Sequence, residues 1–135
     1  MVTSQVKVAT ISSDLDIVTA RSMSREVAKA QGFGAVDQAR IATAVGELAR
    51  NIFLYAKTGR VIIRGIEQGG RKGIEIVCED HGPGIANIDL SMQEGYSTSG
   101  GMGMGIPGAR RLMHEFAIQS QVGAGTTVTC RKWCP

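Results

Sequence analysis

Aromatic side chains are scarce in this sequence: three Phe, two Tyr and one Trp make up 4% of its 135 residues. A nucleic-acid module would show stacking aromatics or a dense basic face. The formal charge of +3, from 15 basic and 12 acidic residues, is too small to mark one. No nucleic-acid partner is expected. Long apolar runs are missing too; none approaches the roughly 18 residues that a membrane span needs. The opening stretch lacks the layout of a signal peptide, so a cytoplasmic protein without membrane contact is expected. Only three prolines occur, with no Pro-rich linker and no internal repeat. Residues 1–135 therefore read as one domain, long enough to bury a core without metals or disulfides. Cys78, Cys130 and Cys134 are an odd count without metal-ligand spacing, which reads as reduced structural thiols. With 43% hydrophobic residues, wholesale disorder is excluded.

What the chain has in excess is glycine, 18 in all, eight of them between Gly82 and Gly108. The rest is orderly. Residues 1–11 alternate as a strand does. Ser13 to Asp16 has the S-x-x-D form of a capping box, and Ile17, Ala20, Met23 and Val27 follow at helical spacing as far as Gly32. Asp37 is expected to cap a second helix with the stripe Ile41, Val45, Leu48, Ile52, ending near Gly59. Strands are expected over 60–67 and 73–80, joined by a tight turn around Gly69-Gly70. A loop over 81–104 follows, too long to be structureless in a compact domain unless it is functional. A third helix over 105–116 and a hairpin over 117–133 close the chain. Hairpin-linked strands imply a mostly antiparallel sheet, and three helices would cover one face of an α+β two-layer sandwich.

Four short elements carry the chemistry. Glu47 and Asn51 stand four apart and so project from the same side of the second helix. They read either as a surface pair or as a carboxylate base beside a carboxamide ligand for Mg²⁺, a hard ion that takes few protein oxygens. Asp80 ends the strand face of Ile74, Ile76 and Cys78, so it points toward the helices, where a carboxylate needs a partner. Gly82 and Gly84 follow at once, as a capped turn or a place where a ligand approaches the backbone. Gly101, Gly103 and Gly105, with the amides of Met102 and Met104, leave N–H groups free to wrap an anion just before a helix. Thr126 shares parity with Val128 and Cys130; it is either the start of an ordinary strand or a hydroxyl beside Asp80.

Read in order, E-x-x-x-N, D-x-G-x-G, G-x-G-x-G and G-T resemble the N box, the two glycine boxes and the terminal Thr of the GHKL family of ATP-binding domains. The resemblance spans nearly the whole chain. Within the family it is greatest to bacterial anti-sigma-factor-type serine/threonine kinases, including the stressosome switch kinases. Residues 47–52, 79–85, 97–101 and 105–113 carry it. The resemblance implies a Bergerat-type sandwich, with a mixed, mostly antiparallel sheet and an ATP lid over 81–104. It implies ATP and Mg²⁺ as cofactors, with Asp80 and Thr126 receiving the adenine amino group and Gly82 and Gly84 shaping that end. Asn51 would ligate Mg²⁺, residues 101–105 would wrap the phosphates, and Glu47 would act as catalytic base. The lid residues Ser97, Thr98 and Ser99 and the helix residues Arg110 and Arg111 are further phosphate-contact candidates, each with a solvated-surface alternative. The implied substrates are STAS-domain proteins of the stressosome, and the implied later partner is a PP2C-type phosphatase. An anti-sigma factor with kinase activity, a histidine-kinase ATPase module, an ATP-gated binding module and a nucleotide-free interaction domain are the alternatives.

Overall fold

The computed structural model describes residues 1–84 and 105–135. The chain runs through β1 (Val2–Ile11), α1 (Asp14–Gln31), α2 (Ala35–Asn51), a π-helical turn (Ile52–Ala56), β2 (Gly59–Gln68), β3 (Arg71–Asp80), α3 (Gly105–Leu112), β4 (Glu115–Gln121) and β5 (Gly125–Trp133). The element order is the expected one, and the sheet order is β1-β2-β3-β5-β4. Every pairing is antiparallel. The expected mixed sheet is therefore antiparallel throughout its described strands. β3 and β4 do run in the same sense, but β5 returns between them and pairs with both.

Local chemistry explains the ends of the elements. Ser13 caps α1 by accepting from the Asp16 N–H at 3.4 Å. The Asp16 carboxylate reaches back to the backbone and hydroxyl of Ser12, at 2.9 and 3.0 Å. This is one residue earlier than a reciprocal capping box. Gly32 closes the helix in the left-handed conformation, φ +98°. The start of α2 differs from expectation: Gly34 is the cap, and Asp37 lies in the first turn, paired with Arg40 at 3.2 Å. Buried Phe33 fixes the entry, and the Gln38 carboxamide donates to its carbonyl at 2.8 Å. A carboxylate inside the first turn still faces the positive end of the helix. Gly69 and Gly70 both have positive φ, as a two-residue hairpin turn requires. α3 is shorter than expected, because Phe116 belongs to β4.

Residues paired directly across strands share a face. One face therefore holds Ala9 and Ile11, Val61 and Ile63, Ile74, Ile76 and Cys78, and Val128 and Cys130. These residues form one buried cluster with Ala20, Val27, Ile41, Val45, Leu48, Ile52 and Ala109 of the helical segments. α1 packs on β1, β2 and β3, α2 lies between α1 and α3, and all three cover that face. The stripes expected on α1 and α2 are the ones that bury. The other face carries charge: Glu75 is held by Arg64 at 2.8 Å and Arg131 at 2.9 Å, and Arg60 pairs with Glu79. The three cysteines are free. Burial pushes the Cys130 thiol up to about 12 and the Cys78 thiol well above its ordinary value, which keeps both protonated.

Candidate functional site

α1 and α2 are antiparallel neighbours, so the C-terminal end of α2 returns to the strand-end edge where central β3 finishes. Glu47 and Asn51 face that edge one turn apart, both half-buried. The Asn51 carboxamide lies against the first residue of α3. A Cβ built on Gly105 would stand 3.0 Å from Asn51 Oδ1 and 3.2 Å from Nδ2. A side chain there would need the carboxamide to give by a few tenths of an ångström, and glycine lets the two approach without it. α2 then changes period. The π-helical turn places Ile52 against Gly59 and Ala56 against Gly82. Such turns often accompany functional positions in helices. Lys57 ends it with φ +72° and ψ −39°, a positive-φ backbone that residues with a side chain seldom adopt.

Asp80 stands on the helix-covered face, directly opposite Thr126. Both side chains are half-buried. Asp80 Oδ1 accepts from the Gly82 N–H at 2.9 Å, which orients the carboxylate and leaves its second oxygen free of that bond. Three backbone approaches hold this corner. A Cβ on Gly125 would overlap the Asp80 carbonyl oxygen, and one on Gly84 would overlap the Gln121 carbonyl oxygen. Gly84 and Gly125 both have positive φ. The Gly123 N–H donates to the Pro83 carbonyl at 2.9 Å, tying the turn after β3 to the β4–β5 turn.

Thr126 has a companion that sequence reasoning missed. Ser120 Oγ lies 2.8 Å from Thr126 Oγ1 and 3.2 Å from the Gly125 carbonyl oxygen. The signal was present in the hairpin: with Gln121 opposite Gly125, one step away from the turn on each strand puts Ser120 opposite Thr126. Gly125 itself was missed for a different reason, since only the folded chain brings its backbone against Asp80.

The structure thus brings Asp80, Gly82, Gly84 and Thr126 together in one corner, and Asn51 with Gly105 beside α3. Gly101, Met102, Gly103 and Met104 lie outside the described residues, as do Ser97, Thr98 and Ser99. Arg110 and Arg111 are exposed on α3. A cavity of about 370 Å³ is lined by Thr10, Ala56, Thr58, Gly59, Arg60, Glu79 and His81, and none of the candidate residues lines it. Among the described residues, no cluster of three or more His, Cys, Asp or Glu could hold a metal ion. The donor set instead fits an ion held mostly by phosphates and water, with one carboxamide from the protein. Glycines at the points of closest approach, a polar corner and the N-terminus of α3 suit a phosphorylated nucleotide.

Comparison with known proteins agrees with this geometry. Residues 11–132 match the histidine kinase-like ATPase domain. The chain is 53% identical over 123 residues to the serine/threonine-protein kinase RsbT of Bacillus subtilis (strain 168), covering 91% of this chain and 92% of that one. It is 31% identical over 100 residues to the anti-sigma F factor of Geobacillus sp. (strain WCH70), covering 69% and 67%. It is 33% identical over 97 residues to that of Clostridium kluyveri (strain NBRC 12016), covering 68% of each. The histidine kinase domain from the blue-light activated histidine kinase of Erythrobacter litoralis EL346 shares the fold, with TM-score 0.51 at 20% identity. That match covers 88% of this chain and 59% of the solved one. Among the described residues, no helix is long and apolar enough to cross a membrane.

Proposed function

This chain belongs to the histidine kinase-like ATPase domain family and is a protein serine/threonine kinase, and from that premise we propose that it phosphorylates Ser or Thr of STAS-domain stressosome proteins in the cytoplasm. Once released from them, it binds and activates a PP2C-type phosphatase. The observation that carries the site assignment is the contact of the Asn51 carboxamide with Gly105 at the head of α3. It supports the reading of Asn51 as a hard oxygen ligand near the phosphates.

Bound Mg·ATP supplies the phosphoryl group and most of the charge neutralisation that such a transfer needs. The protein supplies position. Asp80, oriented by the Gly82 N–H, accepts from the exocyclic amine of the base, and Thr126 stands beside it. Gly82 and Gly84 keep the wall of that corner free of side chains. Asn51 offers its oxygen to the metal, and Gly101, Met102, Gly103, Met104 and Gly105 present backbone N–H groups to the phosphates. Glu47, one turn before Asn51, takes the proton of the attacking hydroxyl.

The test is transfer of labelled γ-phosphate from Mg·ATP to a purified STAS-domain protein from the same genome. Wild type is expected to leave acid-stable label on Ser or Thr. Glu47→Ala is expected to lose at least about 100-fold in rate while still binding ATP. Label without dependence on Glu47 would remove the base assignment, and no label with ATP bound would remove the substrate assignment. The likeness to anti-sigma F factors favours one second reading, a kinase that also holds a sigma factor. Capture of a purified sigma factor in place of STAS and phosphatase proteins would select it.

A further inference from the structure

Two glycines close the turn after β3, and they are glycine for different reasons. Gly84 has φ +78°, whereas the φ of Gly82 is not positive. What excludes a side chain at Gly82 is contact. A Cβ there would stand 2.5 Å from the Ala56 Cβ, 2.9 Å from the Ala56 Cα and 3.2 Å from Asp80 Oδ1. The first two distances are shorter than real side chains show, so the space between residues 56 and 82 holds one methyl, and Ala56 supplies it. The backbone on both sides brings Ala56 to that place. It is the last residue of the π-helical turn, and Lys57 follows with φ +72°. A positive φ at a lysine is strained and persists only where its surroundings hold it. Beyond the contact, the Gly82 N–H donates to Asp80 Oδ1 at 2.9 Å.

We propose that Ala56 is a positioning residue for the nucleobase. Seated against Gly82, it fixes the N–H that orients the Asp80 carboxylate. The inference rests on the reading above that Asp80 accepts from the exocyclic amine of the base. Asn51 immediately precedes the π-helical turn and Ala56 ends it, so five residues link the metal end of the site to the base end. Displacing Gly82 would turn the carboxylate away from the amine, and a hydrogen bond to a charged group would be lost. The loss falls on a 6-amino base and spares a 6-oxo base, which has no such bond to lose.

The probe pair is ATP and inosine triphosphate, which carries a 6-oxo group in place of the 6-amino group. Affinities for both, with Mg²⁺, are measured by calorimetry on wild type, Ala56→Val, Gly82→Ala, the double variant Ala56→Gly with Gly82→Ala, and Asp80→Asn. Wild type is expected to prefer ATP. Ala56→Val and Gly82→Ala crowd the contact from its two sides, and each is expected to cut that preference about tenfold, mainly through weaker binding of ATP. The double variant moves the methyl across the contact and is expected to recover most of the preference, as only coupled residues can. In an Asp80→Asn background Ala56→Val should no longer move the ratio. Melting without nucleotide checks the fold of each variant; should Ala56→Val not fold, Gly82→Ala and the double variant carry the test. If the double variant is no better than Gly82→Ala, or Ala56→Val weakens both nucleotides equally or moves neither, Ala56 is a packing residue and the inference fails while the site reading stands. If wild type binds neither nucleotide, or Asp80→Asn binds ATP as wild type does, the site reading itself fails and takes the inference with it.

Discussion

His114 shows how a single residue couples protonation to the fold. It lies between α3 and β4, and its Nδ1 accepts from the Trp133 backbone N–H at 3.0 Å. Burial, with Lys132 and Arg71 nearby, holds its imidazole below the ordinary value. The folded state therefore binds fewer protons than the unfolded one as pH falls through about 6.5, and stability falls with it. The contribution is fully present above the unfolded pKa and is lost on acidification. Urea midpoints at pH 7.5 and pH 5.5 should differ in wild type, and the difference should shrink in His114→Gln, whose carboxamide oxygen can still accept. An unchanged difference would assign the pH dependence elsewhere. Asp80 could be placed at this scale from strand parity alone. Lys57 could not: nothing in its identity announces a positive φ, which is adopted between the π-helical turn before it and the start of β2 after it.

At the scale of elements, α1 does more than cover the sheet. Its last residue, Gln31, is buried, and its carboxamide donates to the carbonyls of Ile66 at 3.0 Å and Gly73 at 2.8 Å. It also accepts from the Ser4 hydroxyl at 3.0 Å, where β1 slips register against β2. One side chain thus joins α1 to three strands. Gln31→Met keeps the volume and removes the donors, and should cost about 1–3 kcal/mol by urea denaturation. A change within about 0.3 kcal/mol would mean that water replaces the carboxamide there. The apolar stripes of α1 and α2 were legible because a 3.6-residue period leaves a pattern in the chain. The helix-to-strand junctions were less legible. Phe116 fits the end of a helix as well as a strand, and the pairing of Phe116 with Cys130 on β5 decides the matter.

On the scale of the whole molecule, the two faces of the sheet are treated differently. The helices seal one, and ion pairs through Glu75 cross the other. Nucleotide at the edge between β3 and α3 would join parts of the chain far apart in sequence. Binding to the folded state alone adds stability by mass action, about 2.7 kcal/mol at a hundredfold excess over Kd. For a domain of this size that is a rise in Tm of about 8 °C. Mg·ATP should produce it in a thermal melt, and Asp80→Asn should abolish most of it. No shift at millimolar Mg·ATP would count against nucleotide binding altogether.

The sequence by itself determined the order of the elements, the stripes that bury, the inward face of Asp80 and Thr126, and the four ordered motifs. All of these follow from the short periods of helix and strand and from spacing along the chain. Only the tertiary structure decided that β5 lies between β3 and β4, that Gly105 meets Asn51, and that Gly125 meets the Asp80 backbone. Those contacts join segments whose separation in sequence carries no period. They are selected by how the elements pack, and no local preference of the residues involved contains them.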